Sequence, residues 1–162
     1  MIKTIPYSIM QITIPVPTYL KKYLCVKYGN IKHVSKRTSL GIYLLDLLET
    51  DFNPKEILPT TGDDAYILDL SEFYANTLGV SLNVAKINNI SNYLDKIFRE
   101  HLFEFILIHK ERTGRELPAI REFLEYYSIT ENDFKYETLY RDYKRFKERN
   151  PIKKGTRKIK RP

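Results

Sequence analysis

The chain has 162 residues, 43% of them hydrophobic, and carries 27 Lys/Arg against 20 Asp/Glu for a net charge of +7. That length suits one or two small domains. No apolar run reaches the roughly 18 residues of a membrane span, so no membrane partner is expected, and the lone Cys25 excludes an internal disulfide and a cysteine metal cluster.

Residues 11–17, QITIPVP, alternate: Ile12, Ile14 and Val16 point one way, Gln11, Thr13 and Pro15 the other, as in a half-buried strand. Pro17 and Thr18 open a helix with Tyr19, Leu20, Tyr23 and Leu24 on one face, and Gly29 ends it. The segment NIKHVSKR reads as a basic loop. Ser35, Thr38 and Ser39 are cap candidates for a second helix, in which Leu40, Leu44, Leu47 and Leu48 recur at helical spacing.

Residues 51–64 read as a linker, and AYILDLS (65–71) as a second strand, followed by a short helix that Gly79 stops. A long helix is expected from about Leu82 to Lys110, with Ile87, Ile90, Leu94, Ile97, Leu102 and Phe105 as its stripe. Its last turns, HLFEFILI, are apolar nearly all round, which calls for burial on several sides or an oligomer interface. Arg112–Arg115 reads as a loop. Pro118 starts another helix, and Thr130, opening a near capping box T-E-N-D, starts the last.

On that helix, Tyr136, Leu139, Tyr140, Tyr143 and Phe146 share one face, and Thr138, Arg141, Lys144 and Arg145 the other. The charge concentrates here. From Arg141 to Pro162 there are eleven Lys/Arg and two acids, giving +9, so residues 1–140 sum to −2. A local basic block needs a polyanion, and nucleic acid is the commonest. The alternative is a solvated tail.

The run QITIPVPTYLKKYLCVKYG followed by SKRTSLGIYLLDLLE resembles the ribbon-helix-helix DNA-binding family. That resemblance implies a dimer whose paired strands lie in the major groove, with Gln11, Thr13 and Pro15 on the reading face. It implies a phosphate held by Thr38 and Ser39 at the second helix's N-terminus; Lys36 and Arg37 adjoin that end. Pro15 departs from the family's polar readers and removes a backbone donor. Residues 65–110 look like a second copy of the unit, with Val16, Tyr19 and Leu24 matched to Leu70, Phe73 and Leu78. Residues 119–149 resemble a helix-turn-helix, with the turn at Ser128-Ile129-Thr130 and Ser128 in place of the usual glycine.

The expected fold class is therefore mainly α with two short β-strands. A ribbon-helix-helix-like unit, read as duplicated, would precede helix-turn-helix-like helices and a basic tail. The expected units are 1–52, 65–112, 116–149 and the tail 150–162. His101, Glu104 and His109 fit no compact zinc motif. Nothing in the chain has a catalytic pattern, and neither enzyme activity nor a cofactor is expected.

The expected role is DNA binding by a phage or mobile-element protein, as regulator or DNA-organising factor, working as a homo-oligomer. The nucleic-acid set is Gln11, Thr13, Lys36, Arg37, Thr38, Ser39, Arg141, Lys144, Arg145, Lys153, Lys154, Arg157, Lys158, Lys160 and Arg161. The composition, with eighteen Ile, thirteen Tyr and four Ala, fits AT-rich coding sequence, and KYETLYRDYKRF resembles small proteins of gut Bacteroidetes phages. The second reading is a virion structural protein, such as a head–tail connector or ring subunit, whose tail docks on an acidic protein surface. No signal-peptide pattern opens the chain, so the bacterial cytoplasm or a virion is the expected location.

Overall fold

The computed structural model describes residues 9–49, 62–77 and 83–151. Strand β1 (Ile9–Val16) leads into helix α1 (Thr18–Tyr28), strand β2 (Ile31–His33) and helix α2 (Ser39–Glu49). Strand β3 (Asp64–Ser71), helix α3 (Glu72–Thr77) and the long helix α4 (Val84–Thr113) follow, then α5 (Leu117–Tyr126) and α6 (Tyr136–Arg149). The molecule is mainly helical with one small sheet, and the sheet has three strands, in the order β1-β3-β2.

The alternation of QITIPV sets the inner face of the sheet. Ile12, Ile14 and Val16 are buried, and Gln11 and Thr13 are exposed. β1 pairs antiparallel with β3, placing Ile12 opposite Leu68 and Ile14 opposite Tyr66, so both strands turn their apolar rows inward. The expected pairing of the first strand with residues 65–71 is thus made within the chain. Pro15 is tolerated because β1 is an edge strand. The loop expected at 30–37 is corrected in part: Ile31–His33 is a strand running parallel to Ile67–Asp69, and Val34 N–H extends it with a 2.8 Å bond to the Asp69 carbonyl.

The first two helices follow the sequence closely. Pro17 caps α1 in extended backbone, Gly29 ends it at φ +88°, and Tyr19, Leu20, Tyr23 and Leu24 are buried. At the start of α2, Thr38 Oγ1 accepts the Gly41 N–H at 3.0 Å. A Cβ on Gly41 would sit 1.9 Å from the Ser35 carbonyl oxygen, so only glycine lets α2 begin this close to the chain leaving β2. Leu40, Leu44, Leu47 and Leu48 then enter the core.

Asn83 caps α4, its Oδ1 accepting the Lys86 N–H at 2.9 Å, and the helix runs beyond Lys110 to Gly114, which takes φ +74°. The stripe expected on α4 holds at Ile90, Leu94 and Leu102, whereas Ile87, Ile97 and Phe105 are half-buried and Phe98, Phe103 and Ile106 are deeper. Ser91 Oγ donates to the Pro15 carbonyl at 2.9 Å, and the buried Lys86 Nζ donates to the Leu48 carbonyl at 2.7 Å, closing the last turn of α2. In the apolar end of α4, Phe105 packs on Phe123 of α5 and Phe103 on Phe146 of α6 while Ile108 stays exposed, and one apolar core runs through the sheet and the helices. Of the pairs matched between 11–50 and 65–110, Val16 and Leu70 are both buried. Phe73, aligned with buried Tyr19, is 70% exposed, and Leu78 lies outside the described residues, as do Gly79 and residues 51–61 of the expected linker 51–64, whose last residue, Asp64, belongs to β3.

Candidate nucleic-acid interface

Helix α6 is built with two faces. Leu139 and Tyr143 are buried, Tyr136, Tyr140 and Phe146 are half-buried, and Arg141, Lys144, Arg145 and Arg149 are exposed. Phe146 and Tyr143 pack on Phe103 of α4, with ring centroids at 4.8 and 5.8 Å. Glu137 in the first turn and Lys147 and Arg149 in the last complement the helix dipole.

Two ion-pair clusters fix where this helix sits. Glu116, ahead of α5, accepts from Lys147 Nζ at 2.8 Å and from Lys110 Nζ at 2.7 Å. Burial raises the Glu116 pKa, but the two ammonium groups outweigh it and hold the carboxyl below its usual range. In the second cluster, Asp95 accepts from the Tyr19 hydroxyl and from Arg99 Nε, both at 2.7 Å, and Arg99 Nη1 donates to Asp142 Oδ2 at 2.5 Å. That chain of bonds joins α1, α4 and α6. Burial and the Asp95 carboxylate push the Tyr19 hydroxyl far above the ordinary tyrosine range, so it stays a donor.

Beside Arg99 the two helices leave a groove of about 410 Å³, walled by Arg99, Asp142, Arg145, Arg149 and Asn150 over Phe103 and Phe146. Three guanidiniums face one carboxylate, and Asp142 is already engaged by Arg99. Arg145 Nη1 stands 3.9 Å from Asp142 with its side chain 60% exposed. Guanidinium forks over an apolar floor can hold a phosphate bidentately. Lys144 lies 4.4 Å above the Tyr140 ring. Among the described residues, neither it nor Arg141 has an acidic partner.

The turn expected at Ser128–Thr130 is corrected. α5 closes at Tyr126, and α6 begins at Tyr136, not at Thr130. Asp133 accepts the Thr130 N–H at 2.7 Å and the Thr130 hydroxyl at 2.9 Å, and this single turn does not propagate. Phe134 stacks on Tyr19 at 4.4 Å, and Lys22 Nζ binds Asp133 at 2.6 Å, drawing the chain onto α1. The connection is longer than the three or four residues of a helix-turn-helix.

The sheet carries the other residues expected to bind. Gln11 lies opposite Asp69, and His33 is level with Asp69 on the far side, so one outward row reads Gln11, Asp69, His33. The next row reads Thr13, Ile67, Ile31. Asp69 Oδ1 is buried without a hydrogen-bond partner, which places a carboxylate in the middle of the face that the sequence resemblance assigned to base reading. Lys36, Arg37, Thr38 and Ser39 are exposed just beyond β2, at the Gln11 end of the sheet. Lys36 leans over the Tyr74 ring at 5.9 Å, and the Thr38 hydroxyl is used in capping.

The structure thus brings Gln11 and residues 36–39 to one end of the sheet. Arg141, Lys144 and Arg145 are on α6, and the segment ahead of α6 meets α1 where Phe134 stacks on Tyr19. Sequence reasoning missed Arg99, Arg149 and Asn150. Arg149 lies one helical turn past Arg145 and was within reach of the spacing, whereas Arg99 joins the groove only through the packing of α4 on α6. Lys153, Lys154, Arg157, Lys158, Lys160 and Arg161 lie outside the described residues. His101 and His109 are engaged by Tyr23 and Glu122, at 3.1 and 3.4 Å. No described helix is long and apolar enough to cross a membrane. Compared with protein-family models, curated proteins and solved structures, the chain matches none.

Proposed function

We propose that this chain is a DNA-binding protein of a phage or mobile element, acting as a regulator or DNA-organising factor. Helix α6 and the basic segment after it are the phosphate-contacting elements. The observation that carries this reading is the groove of Arg99, Arg145 and Arg149 at the end of an outward basic face, continuous in sequence with KKGTRKIKRP. The ribbon-helix-helix-like strand is the weaker contributor, because Asp69 sits between its polar residues. The helix-turn-helix likeness of α5 and α6 carries no base-reading role in this proposal.

The test is a duplex-binding titration across a salt series. Replacing Arg145 and Arg149 together by Ala lowers the log–log salt slope by roughly 2, at about 0.9 per phosphate contact. It weakens binding alike on unrelated sequences. Both side chains are exposed, so the fold is kept. An unchanged slope and affinity reject the groove as the DNA contact.

The second reading, a virion connector or ring subunit, draws on two exposed apolar side chains, Ile108 in the last turns of α4 and Leu117 at the start of α5, 60% and 43% exposed. Rings of the purified protein seen by electron microscopy, with no duplex binding, select it.

A further inference from the structure

On the side of α4 turned away from the arginine groove, α4 and α5 leave a second cleft of about 300 Å³. Its lining is His101, Phe105, Glu122, Phe123, Tyr126 and Tyr127. At about 100° per residue, His101 and Phe105 lie roughly 200° round the helix from Arg99 and Phe103, so the two sites are separate. The volume is at the small end of ligand pockets, about 300–1,000 Å³.

The rings form a floor and a wall. Phe105 meets Phe123 at 5.6 Å, Phe123 meets Tyr127 at 4.8 Å, and Tyr126 stands edge-on to Tyr127 at 4.9 Å. Tyr126 is 72% exposed, the most exposed large apolar side chain among the described residues. A ring left in water at the mouth of an aromatic cleft is placed to stack on an incoming flat group.

The polar groups are set by a relay behind the cleft. Lys27 Nζ donates to the Tyr23 hydroxyl at 2.9 Å, and that hydroxyl lies 3.1 Å from His101 Nδ1. Lys27 Nζ also lies 3.4 Å from His101 Nδ1, and an ammonium can only donate, so Nδ1 is the acceptor and the Tyr23 hydroxyl, accepting from Lys27, gives its own proton to Nδ1. The imidazole proton is then on Nε2. Burial, and then the Lys27 charge, hold His101 below its ordinary pKa, which keeps the ring neutral. Tyr23 lies outside the lining, so the Nε2–H edge is the one left for the cleft. The matching acceptor is the Glu122 carboxylate, 61% exposed and 3.4 Å from His109 Nδ1.

A cation would meet the Nε2–H donor and the nearby Lys27, and an anion would meet Glu122. A flat neutral heterocycle with both an acceptor and an N–H donor on its edges satisfies each wall. We propose that this cleft binds a purine base, stacked on Tyr126 and the ring floor, accepting from His101 Nε2–H and donating to Glu122. The same chemistry is offered by a nucleoside and by an unpaired base in a single strand.

The experiment uses the full chain carrying Arg145→Ala and Arg149→Ala, so that phosphate binding in the groove does not mask the cleft. Guanosine, adenosine and a short single-stranded oligopurine are titrated by equilibrium dialysis. Saturable binding is expected, weakened roughly tenfold by Tyr126→Ala, the loss of one stacking partner, and reduced by Glu122→Gln. Both positions are exposed, and a melting curve checks that each variant is folded. Binding of the nucleosides assigns the site to small ligands, and binding of the oligopurine alone assigns it to a single strand. No saturable binding of any probe at millimolar concentration overturns the proposal. So does binding that survives both substitutions. Neither result depends on whether the groove binds DNA.

Discussion

Ser128 stands at φ +54°, the one non-glycine residue in the left-handed region among those described. The bonds around it explain the position. Ile129 N–H reaches the Leu124 carbonyl at 2.9 Å and Ser128 N–H the Glu125 carbonyl at 3.0 Å, while buried Ile129 and Leu124 make the apolar contact that closes such a helix end. Glycine is the usual residue there because it has no Cβ to clash. Ser128→Gly is therefore expected to stabilise the protein by up to about 1 kcal/mol, read as a higher urea midpoint at unchanged slope. The sequence already marked Ser128 as standing where a turn glycine is usual. What the turn leads into was not legible, because it depends on Phe134 and Lys22 finding α1.

Among the elements, those with a repeating apolar pattern were the legible ones. β1, α1, α2 and α6 could be read from the side chains they bury. β2 could not: three residues are too few to show a period, and Ile31–His33 is a strand only because β3 lies beside it. The groove divides the same way, with Arg145 on a readable helix face and Arg99 brought there by packing. The elements are also held by charge. Glu116 ties Lys110 of α4 to Lys147 of α6 and is only 14% exposed. Glu116→Gln should cost about 1 kcal/mol, a charge-assisted pair discounted for its partly exposed lysines. The pH dependence follows from the depressed carboxyl. The unfolded chain binds the proton more readily, so the contribution is present above about pH 4.5 and is lost as pH falls through the folded pKa. Urea melts of the two proteins should converge as the pH is lowered through that window.

At the scale of the whole molecule, the proposed DNA-binding role assigns the body to folding and the basic end to phosphate contact. Deleting residues 150–162 removes Lys153, Lys154, Arg157, Lys158, Lys160 and Arg161. With all six on phosphate, the salt slope should fall by roughly 5. The melting midpoint should hold, since the sequence of this segment has no apolar pattern. A fall in thermal stability without a change in slope would make the segment structural instead.

The strand order β1-β3-β2 sets a timetable. The central strand is the last of the three in the chain, so both outer strands must wait for it. While the ribosome is still short of Ser71, Ile9–Val16 and Ile31–His33 have nothing to pair with. The apolar row of the first strand, Ile12, Ile14 and Val16, is exposed through that interval. Helices α1 and α2 can form early from local contacts, but the sheet closes in one late step over a long loop. Nascent chains stalled before Asp64 should be the ones that chaperones hold.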